Sequence, residues 1–258
     1  MNINGTCISS TTDEYGPIYV YQTRTSRILS FDGQIYQSSM KLNNINGLDL
    51  DYTQAMMTGL FFIPTIKTAT IMGLGAGSMA KNLISSFPKI NVHAIEHREA
   101  VVKTAQKYFH LPDSERLTLH IGDGLSHMKH NHIKSDIIFS DLYNTDGMEP
   151  KQVQSSYLRD CKNALTEKGV LVLNIWHTAL PPHVELNELL SLEFANRLLS
   201  FKVESGNTIV LAFKNDIPSI KKDELLTKGK YLQEKMNIPM ERYAKLLWST
   251  QQYKFSHK

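Results

Sequence analysis

The stretch Thr68-Ala-Thr-Ile-Met-Gly-Leu-Gly-Ala-Gly-Ser-Met-Ala80 constrains this chain more than any other. A short β-branched, apolar run (Ala69 to Met72) ends on Gly73, Gly75 and Gly77, and Met79, Leu83 and Ile84 then recur at helical spacing. The pattern reads as strand, tight turn, helix. Glycines at such a turn accept positive φ and let a ligand approach main-chain N–H groups closely. The spacing is G-x-G-x-G and departs from the G-x-G-x-x-G dinucleotide fingerprint. By itself it is also compatible with an ordinary glycine loop after a strand.

Three acid-ended strands downstream give the loop its context. Asn91-Val-His-Ala-Ile-Glu96 reads as a second strand ending in a carboxylate, 19 residues after Gly77. An acid about 20 residues on is the usual acceptor for ribose hydroxyls in nucleotide-binding α/β folds. Leu117 to Gly124 reads as a third strand ending at Asp123, and Ser135 to Asp141 as a fourth ending at Asp141. Ligands of open parallel sheets bind outside the carboxyl ends of the strands. The glycine loop, Glu96, Asp123 and Asp141 are therefore expected to converge on one crevice. Each acid alone also suits a helix N-cap or a solvated loop.

Composition excludes several classes. The chain has 258 residues, 41% hydrophobic and 21% charged, enough for one large domain with a small appendage. The net charge of +3 comes without a basic run that would argue for nucleic acid. Two cysteines, Cys7 and Cys161, provide no disulfide framework. The polar N-terminus carries no signal-peptide pattern, and no apolar run reaches the ~20 residues of a membrane span. A cytoplasmic setting is expected.

In chain order, residues 1–14 are polar and read as frayed. Ile18–Tyr21, Arg27–Phe31 and Ile35–Ser38 alternate like short strands of a small antiparallel sheet. Asp51 to Phe62 has helical spacing and is closed by Pro64. The βα array then runs as strand 69–73, helix 77–86, strand 91–95, helix 98–109, strand 117–121, helix 124–130 and strand 136–140. A polar loop over 143–150 and a helix over 151–166 come next, with Lys168-Gly169 as the helix stop and Val170–Trp176 as a fifth strand. A helix near 184–199, a hairpin of Phe201–Glu204 with Thr208–Phe213, and helices over 223–236 and 239–250 complete the chain. Seven strands with a final reversal predict a methyltransferase-type, Rossmann-like doubly wound α/β sheet. The expected division is a small N-terminal β domain over 1–48 and the nucleoside-binding catalytic domain over 49–258. His120, His127, His130 and His132 read as surface histidines, and no metal is expected. Trp176 and Met56-Met57 read as packing residues.

Taken together these residues resemble the polyamine aminopropyltransferase (spermidine synthase) family from about Gly16 to Phe213. The resemblance runs through Gln37-Ser38, Tyr52, Gly73-Leu-Gly-Ala-Gly77, Glu96, Gly122-Asp-Gly124, Asp136 to Asp141 and Gly169 to Asn174. It implies aminopropyl transfer from decarboxylated S-adenosylmethionine, a co-substrate and not a resident cofactor, to an amine such as putrescine. It further implies that Glu96 binds the ribose, Asp123 the adenine and Gln37 the nucleoside. Tyr52 and Asp141 would hold and deprotonate the attacking amine. Gly73, Gly75, Gly77 and Gly124 shape the nucleoside side, and Tyr143 and Asn144 are candidate substrate contacts. The expected partner is a small amine, with no nucleic acid and no membrane; a homodimer stays open.

Two positions depart from the family pattern. Ala76 stands where the family has an Asp that contacts the donor's amino group, and Asn144 where it has a second Asp facing the acceptor. Leu48 to Asp51 does not clearly reproduce the family's Asp-Glu before the Tyr. Methyl transfer from S-adenosylmethionine is therefore the alternative, with a non-catalytic nucleoside-binding role after it.

Overall fold

The computed structural model of the chain describes residues 3–144, 147–176 and 183–255, without the side chains of 144 and 183–187. The first sheet is antiparallel in the order β1-β2-β3-β4, from β1 (Thr6–Asp13), β2 (Gly16–Gln22), β3 (Ser26–Ser30) and β4 (Ser38–Lys41). It departs from expectation at two points. The segment read as frayed forms β1, paired with β2 from Thr6↔Gln22 to Asp13↔Gly16. Its polar side chains are mostly exposed on an edge, and main-chain pairing holds it whatever their polarity. The third of the expected strands lies over Ser38–Lys41 and not over 35–38, because the turn after β3 is longer. The Asp32 carboxylate accepts the N–H groups of Gln34 and Ile35, each at 2.8 Å, and holds that turn.

α1 (Asp51–Met56) continues as a 3-10 helix over Met57–Phe62, where a single α-helix was expected. Gly59 explains its position: a Cβ there would stand 2.7 Å from both Ile137 Cδ1 and Val172 Cγ2, so the segment lies against the central sheet. The array then runs β5 (Thr68–Met72), α2 (Ser78–Ser86), β6 (Asn91–Glu96), α3 (Glu99–Tyr108), β7 (Leu117–Ile121), α4 (Gly124–Lys129) and β8 (Ser135–Ser140). Residues expected to form a plain loop give a two-residue ladder, β9 (Tyr143–Asn144) with β10 (Gly147–Met148).

The helix expected over 151–166 divides into a 3-10 turn at Pro150–Val153 and α5 (Ser155–Ala164), because Gln154 is extended (ψ 144°). β11 (Leu165–Ile175) starts earlier than expected and contains Lys168-Gly169. Gly169 marks an irregularity between the Leu165↔Ser135 and Val170↔Ile137 pairs, and is not a helix stop. A Cβ at 169 would lie 2.9 Å from both Leu165 Cβ and Thr166 O, so only glycine fits there. α6 (His183–Phe194), β12 (Leu198–Lys202), β13 (Thr208–Phe213), α7 (Lys222–Met236) and α8 (Met240–Phe255) complete the order. α6 stops before the expected 199 because Ala195 and Asn196 adopt positive φ.

The central sheet has the order β12-β13-β11-β8-β5-β6-β7, with β13 antiparallel to both its neighbours. Val170 to Ile175 is buried throughout, as a strand covered on both faces must be. The chain leaves β5 toward β6 and β7, and then crosses to β8 on the other side. The ends of β5 and β8 therefore form the switch point of the sheet. An apolar cluster joins the N-terminal sheet to the glycine loop and α3, with Ile18, Val20, Leu29, Phe31 and Met40 against Ala76, Val101 and Phe109. Arg98 (7% exposed) reinforces that junction: its guanidinium donates to Asp13 at 2.7 and 3.0 Å and to Gly16 O at 2.7 Å.

Candidate nucleoside and acceptor site

The glycine loop adopts the expected conformation. Gly73, Gly75 and Gly77 have φ of 93°, 55° and 75°, and α2 begins directly after Gly77. At Gly73 the reason is contact as well as dihedral. Its Cβ would sit 2.2 Å from the carbonyl oxygen of Asp141, so glycine lets the ends of β5 and β8 close on each other.

Glu96 ends β6 and turns its carboxylate into that loop. Oε2 accepts the N–H groups of Leu74 and Gly75, both at 3.2 Å, and Oε1 accepts the Arg98 N–H at 3.1 Å. Burial raises its pKa, against the pull of those three backbone donors and the Arg98 charge. On the other side of the loop, Ser38 Oγ accepts the Ala76 N–H at 3.1 Å. The N-terminal sheet thus supplies an acceptor to the loop. Gln37, the residue singled out in this segment, is held by its own main chain, donating to Leu29 O at 2.9 Å.

Asp123 is exposed and caps α4, accepting the Ser126 N–H at 2.8 Å. The structure gives it the structural role that any such acid can have, with one carboxylate oxygen engaged. Gly124 packs beneath, its Cβ position 3.0 Å from Met72 Cε.

Across the switch point, Asp141 comes directly after β8. Its Oδ1 accepts from Asn174 Nδ2 at 2.8 Å, and the Tyr52 hydroxyl hydrogen-bonds the same carboxylate. Burial pushes its pKa up to about 6, with both hydrogen bonds acting the other way. Tyr52 stays neutral: burial, and then the Asp141 charge, hold its pKa well above 10. Tyr143 reaches the same cluster, with its hydroxyl 3.4 Å from Asn174 O, and is likewise shifted upward by burial. A carboxyl with its pKa near 6, set among neutral phenols and amides, can take a proton from a bound group.

Further participants were given no role by the sequence. Asn174, Asn207 and Ser205 form a hydrogen-bonded chain to Asp141, and Ser38 engages the loop. Asn174 had a visible mark, an amide inside an otherwise apolar run, Val170 to Trp176. Asn207 and Ser205 had none, because a Ser-Gly-Asn turn between strands is ordinary. Position 76 is fully buried in the apolar cluster that packs the N-terminal sheet on the loop and α3. Asn144 lies in β9 with its side chain outside the described residues.

The histidines read as surface residues are partly gathered. His93, His120 and His127 line up, with 3.4 Å between His93 Nδ1 and His120 Nε2 and 4.6 Å between the His120 and His127 rings. His130 and His132 are exposed. Among the described residues no group of three metal-ligating side chains is placed to hold an ion. Nor is any helix among them long and apolar enough to cross a membrane.

The sequence profile described as the spermine/spermidine synthase domain matches residues 51–193, more than half of the chain. The chain belongs to the spermine/spermidine synthase family. A polyamine aminopropyltransferase of Neisseria meningitidis is 29% identical over 219 residues, covering 84% of this chain and 83% of that protein. One of Chromobacterium violaceum is 27% identical, with 90% and 89% covered. A probable spermidine synthase from Corynebacterium glutamicum superposes with a TM-score of 0.74 at 17% identity, covering 94% of both chains. Human methyltransferase-like protein 13, solved with SAH, reaches 0.67 at 25% identity, covering 74% of this chain and 94% of that one. The family is one of transferases, and methyltransferases share its fold. The enzyme class and the doubly wound fold expected from the sequence both stand.

Proposed function

We propose that this protein transfers the aminopropyl group of decarboxylated S-adenosylmethionine to a primary amine, releasing methylthioadenosine. The single observation that carries this is Asp141. It is a carboxyl brought to a pKa of about 6, at the switch point, bonded by Tyr52 and Asn174.

The chemistry requires little else of the protein. An ammonium ion is no nucleophile, so the acceptor must lose a proton, which Asp141 takes. The freed nitrogen lone pair attacks the methylene carbon beside the sulfonium, and the C–S bond breaks with its electrons on sulfur. A neutral thioether leaves. Positioning accounts for most of the remaining rate. Tyr52, Tyr143 and Asn144 flank the acceptor in this reading. On the donor side Glu96 takes the ribose hydroxyls, Asp123 the adenine and Gln37 the nucleoside, with Gly73, Gly75, Gly77 and Gly124 giving the main chain room. The donor would lie between an N-terminal unit (1–48) and the larger unit (49–258), in a cytoplasmic enzyme. Putrescine is the reference acceptor.

Methyl transfer from S-adenosylmethionine is the second reading. The apolar burial of Ala76 favours it, since no carboxylate waits there for the donor's amino group. Calorimetry with methylthioadenosine, decarboxylated S-adenosylmethionine and S-adenosylmethionine in parallel separates the two. Aminopropyl transfer requires the decarboxylated donor to bind more tightly and to yield methylthioadenosine with an amine present. Preference for the carboxylated donor, with S-adenosylhomocysteine as product, establishes the second.

A further inference from the structure

Asp141 and Tyr52 come from distant parts of the chain, yet one short turn touches the supports of both. The β12–β13 turn is closed by Val203 N–H to Asn207 O at 2.9 Å and Gly206 N–H to Val203 O at 3.0 Å, with Gly206 at φ 93°. From this turn a directional chain of hydrogen bonds leads inward. Ser205 Oγ donates to Asn207 Oδ1 at 2.8 Å, Asn207 Nδ2 donates to Asn174 Oδ1 at 2.9 Å, and Asn174 Nδ2 donates to Asp141 Oδ1 at 2.8 Å. The polarity of each amide is set by the donor behind it. With its oxygen occupied by Asn207, Asn174 has only its NH2 to offer Asp141. Asn174 and Asn207 are 1% and 8% exposed, so water does not readily replace either. The same turn reaches the other partner. Ser205 N–H donates to Asp51 Oδ2 at 3.0 Å, and Asp51 opens the helix that carries Tyr52. Tyr243 holds that helix start from behind, its hydroxyl donating to Asp51 O at 2.9 Å.

We propose that the β12–β13 turn is a positioning element for the reaction. Asn207, acting through Asn174, orients the Asp141 carboxylate for proton acceptance, and Ser205 sets both the polarity of this relay and the position of Tyr52. The reaction itself is the aminopropyl transfer of the proposed function, and the positioning residues are Asn207, Asn174 and Ser205. The groups facing Asp141 are Tyr52 from α1, Tyr143 after β8 and Asn174 from β11, with Asp51 the next charge along α1.

The test reads Asp141 directly. Carboxyl carbon-13 shifts, assigned through Asp141→Asn, give its titration in the wild type, in Asn207→Leu, which removes the donor at similar size, and in Asn207→Asp, which reverses it. Without a donor behind it Asn174 is free to turn its oxygen toward Asp141, which weakens the ionised form. Asp141 is expected to titrate about one pH unit higher in Asn207→Asp, a tenfold change in its proton equilibrium, and by a smaller step in Asn207→Leu. The acid limb of kcat should move with it, while the affinity for methylthioadenosine stays within about twofold. The exposed Ser205→Ala should show the smallest shift in the same direction. Unchanged titration in both Asn207 variants and in Ser205→Ala overturns the relay. So does a loss of methylthioadenosine binding that parallels the loss of turnover, since that marks a general structural role. A wild type that transfers no aminopropyl group sinks the proposed reaction, and the carbon-13 titration still decides the relay.

Discussion

Glu96 Oε2 accepts the Gly75 N–H at 3.2 Å, so the carboxylate that ends β6 already engages the glycine loop after β5. The acid and the loop form one unit, and a ligand bound to either meets both. Glu96→Gln replaces an acceptor oxygen with a donor that the loop amides cannot use. Charge-assisted bonds to ribose hydroxyls contribute roughly 1.5–3 kcal/mol each. Methylthioadenosine affinity should fall at least about tenfold, or ~1.4 kcal/mol, by calorimetry. Unchanged affinity would remove Glu96 from the nucleoside site.

The glycines of the loop separate into two cases. Gly75→Val meets Ser38 Oγ at 2.5 Å from its Cβ and must hold φ at 55°, so nucleoside binding should be lost in a protein that still folds. Gly73→Ala meets backbone, the Asp141 carbonyl at 2.2 Å, which cannot swing aside. That variant should unfold at a clearly lower temperature, and it should lose turnover beyond what its folded fraction explains. Circular dichroism melts beside nucleoside titrations distinguish the two. Equal stability of Gly73→Ala and wild type contradicts the close approach of β5 and β8.

The raised pKa of Asp141 fixes the sign of two pH effects. Only the ionised carboxyl accepts a proton, so the rate should fall about tenfold per unit below pH 6 and level off above it. Asp141→Asn should lower turnover by about 10²–10⁴-fold, with donor affinity little changed. Stability runs the other way. Because the folded carboxyl has its pKa raised from 3.8 to about 6, ionising it opposes folding, and stability declines as pH rises through that window. Asp141→Asn should therefore be more stable than wild type by about 2–3 kcal/mol near pH 7 and show no such gain below about pH 4. Denaturant melts at both pH values check this; a gain at low pH alone contradicts it.

Ala76 is packed with Ile18, Phe31 and Met40, at the position where the resemblance implies a carboxylate in donor-binding relatives. Ala76→Asp places a carboxylate in this buried apolar cluster, and its melting temperature should drop. Decarboxylated S-adenosylmethionine brings an ammonium group, and should restore more of that loss than S-adenosylmethionine, whose carboxylate meets the new charge. Thermal shifts with each donor provide the comparison. Equal rescue by both contradicts a donor tail at position 76.

What the sequence determined by itself is the periodic part of this protein. Glycines at 73, 75 and 77 after a β-branched run, and acids ending three later strands, specify a doubly wound sheet with its groups at one edge. That inference works because strand ends and positive-φ turns are local properties, written within a few residues. Tertiary structure decided the rest. Thr6–Asp13 pairs as a strand although its polarity reads as loose chain, since its partner's main chain supplies what its side chains do not. Gly169 is a bulge in β11 and not a helix stop because of what lies 2.9 Å from its Cβ position. The Ser205–Asn207–Asn174–Asp141 chain joins positions 66 apart in sequence, from 141 to 207. Nothing local marks Asn207 as a support of Asp141. Each hydrogen bond depends on where the folded sheet places a buried amide, and that placement exists only once β13 has paired with β11.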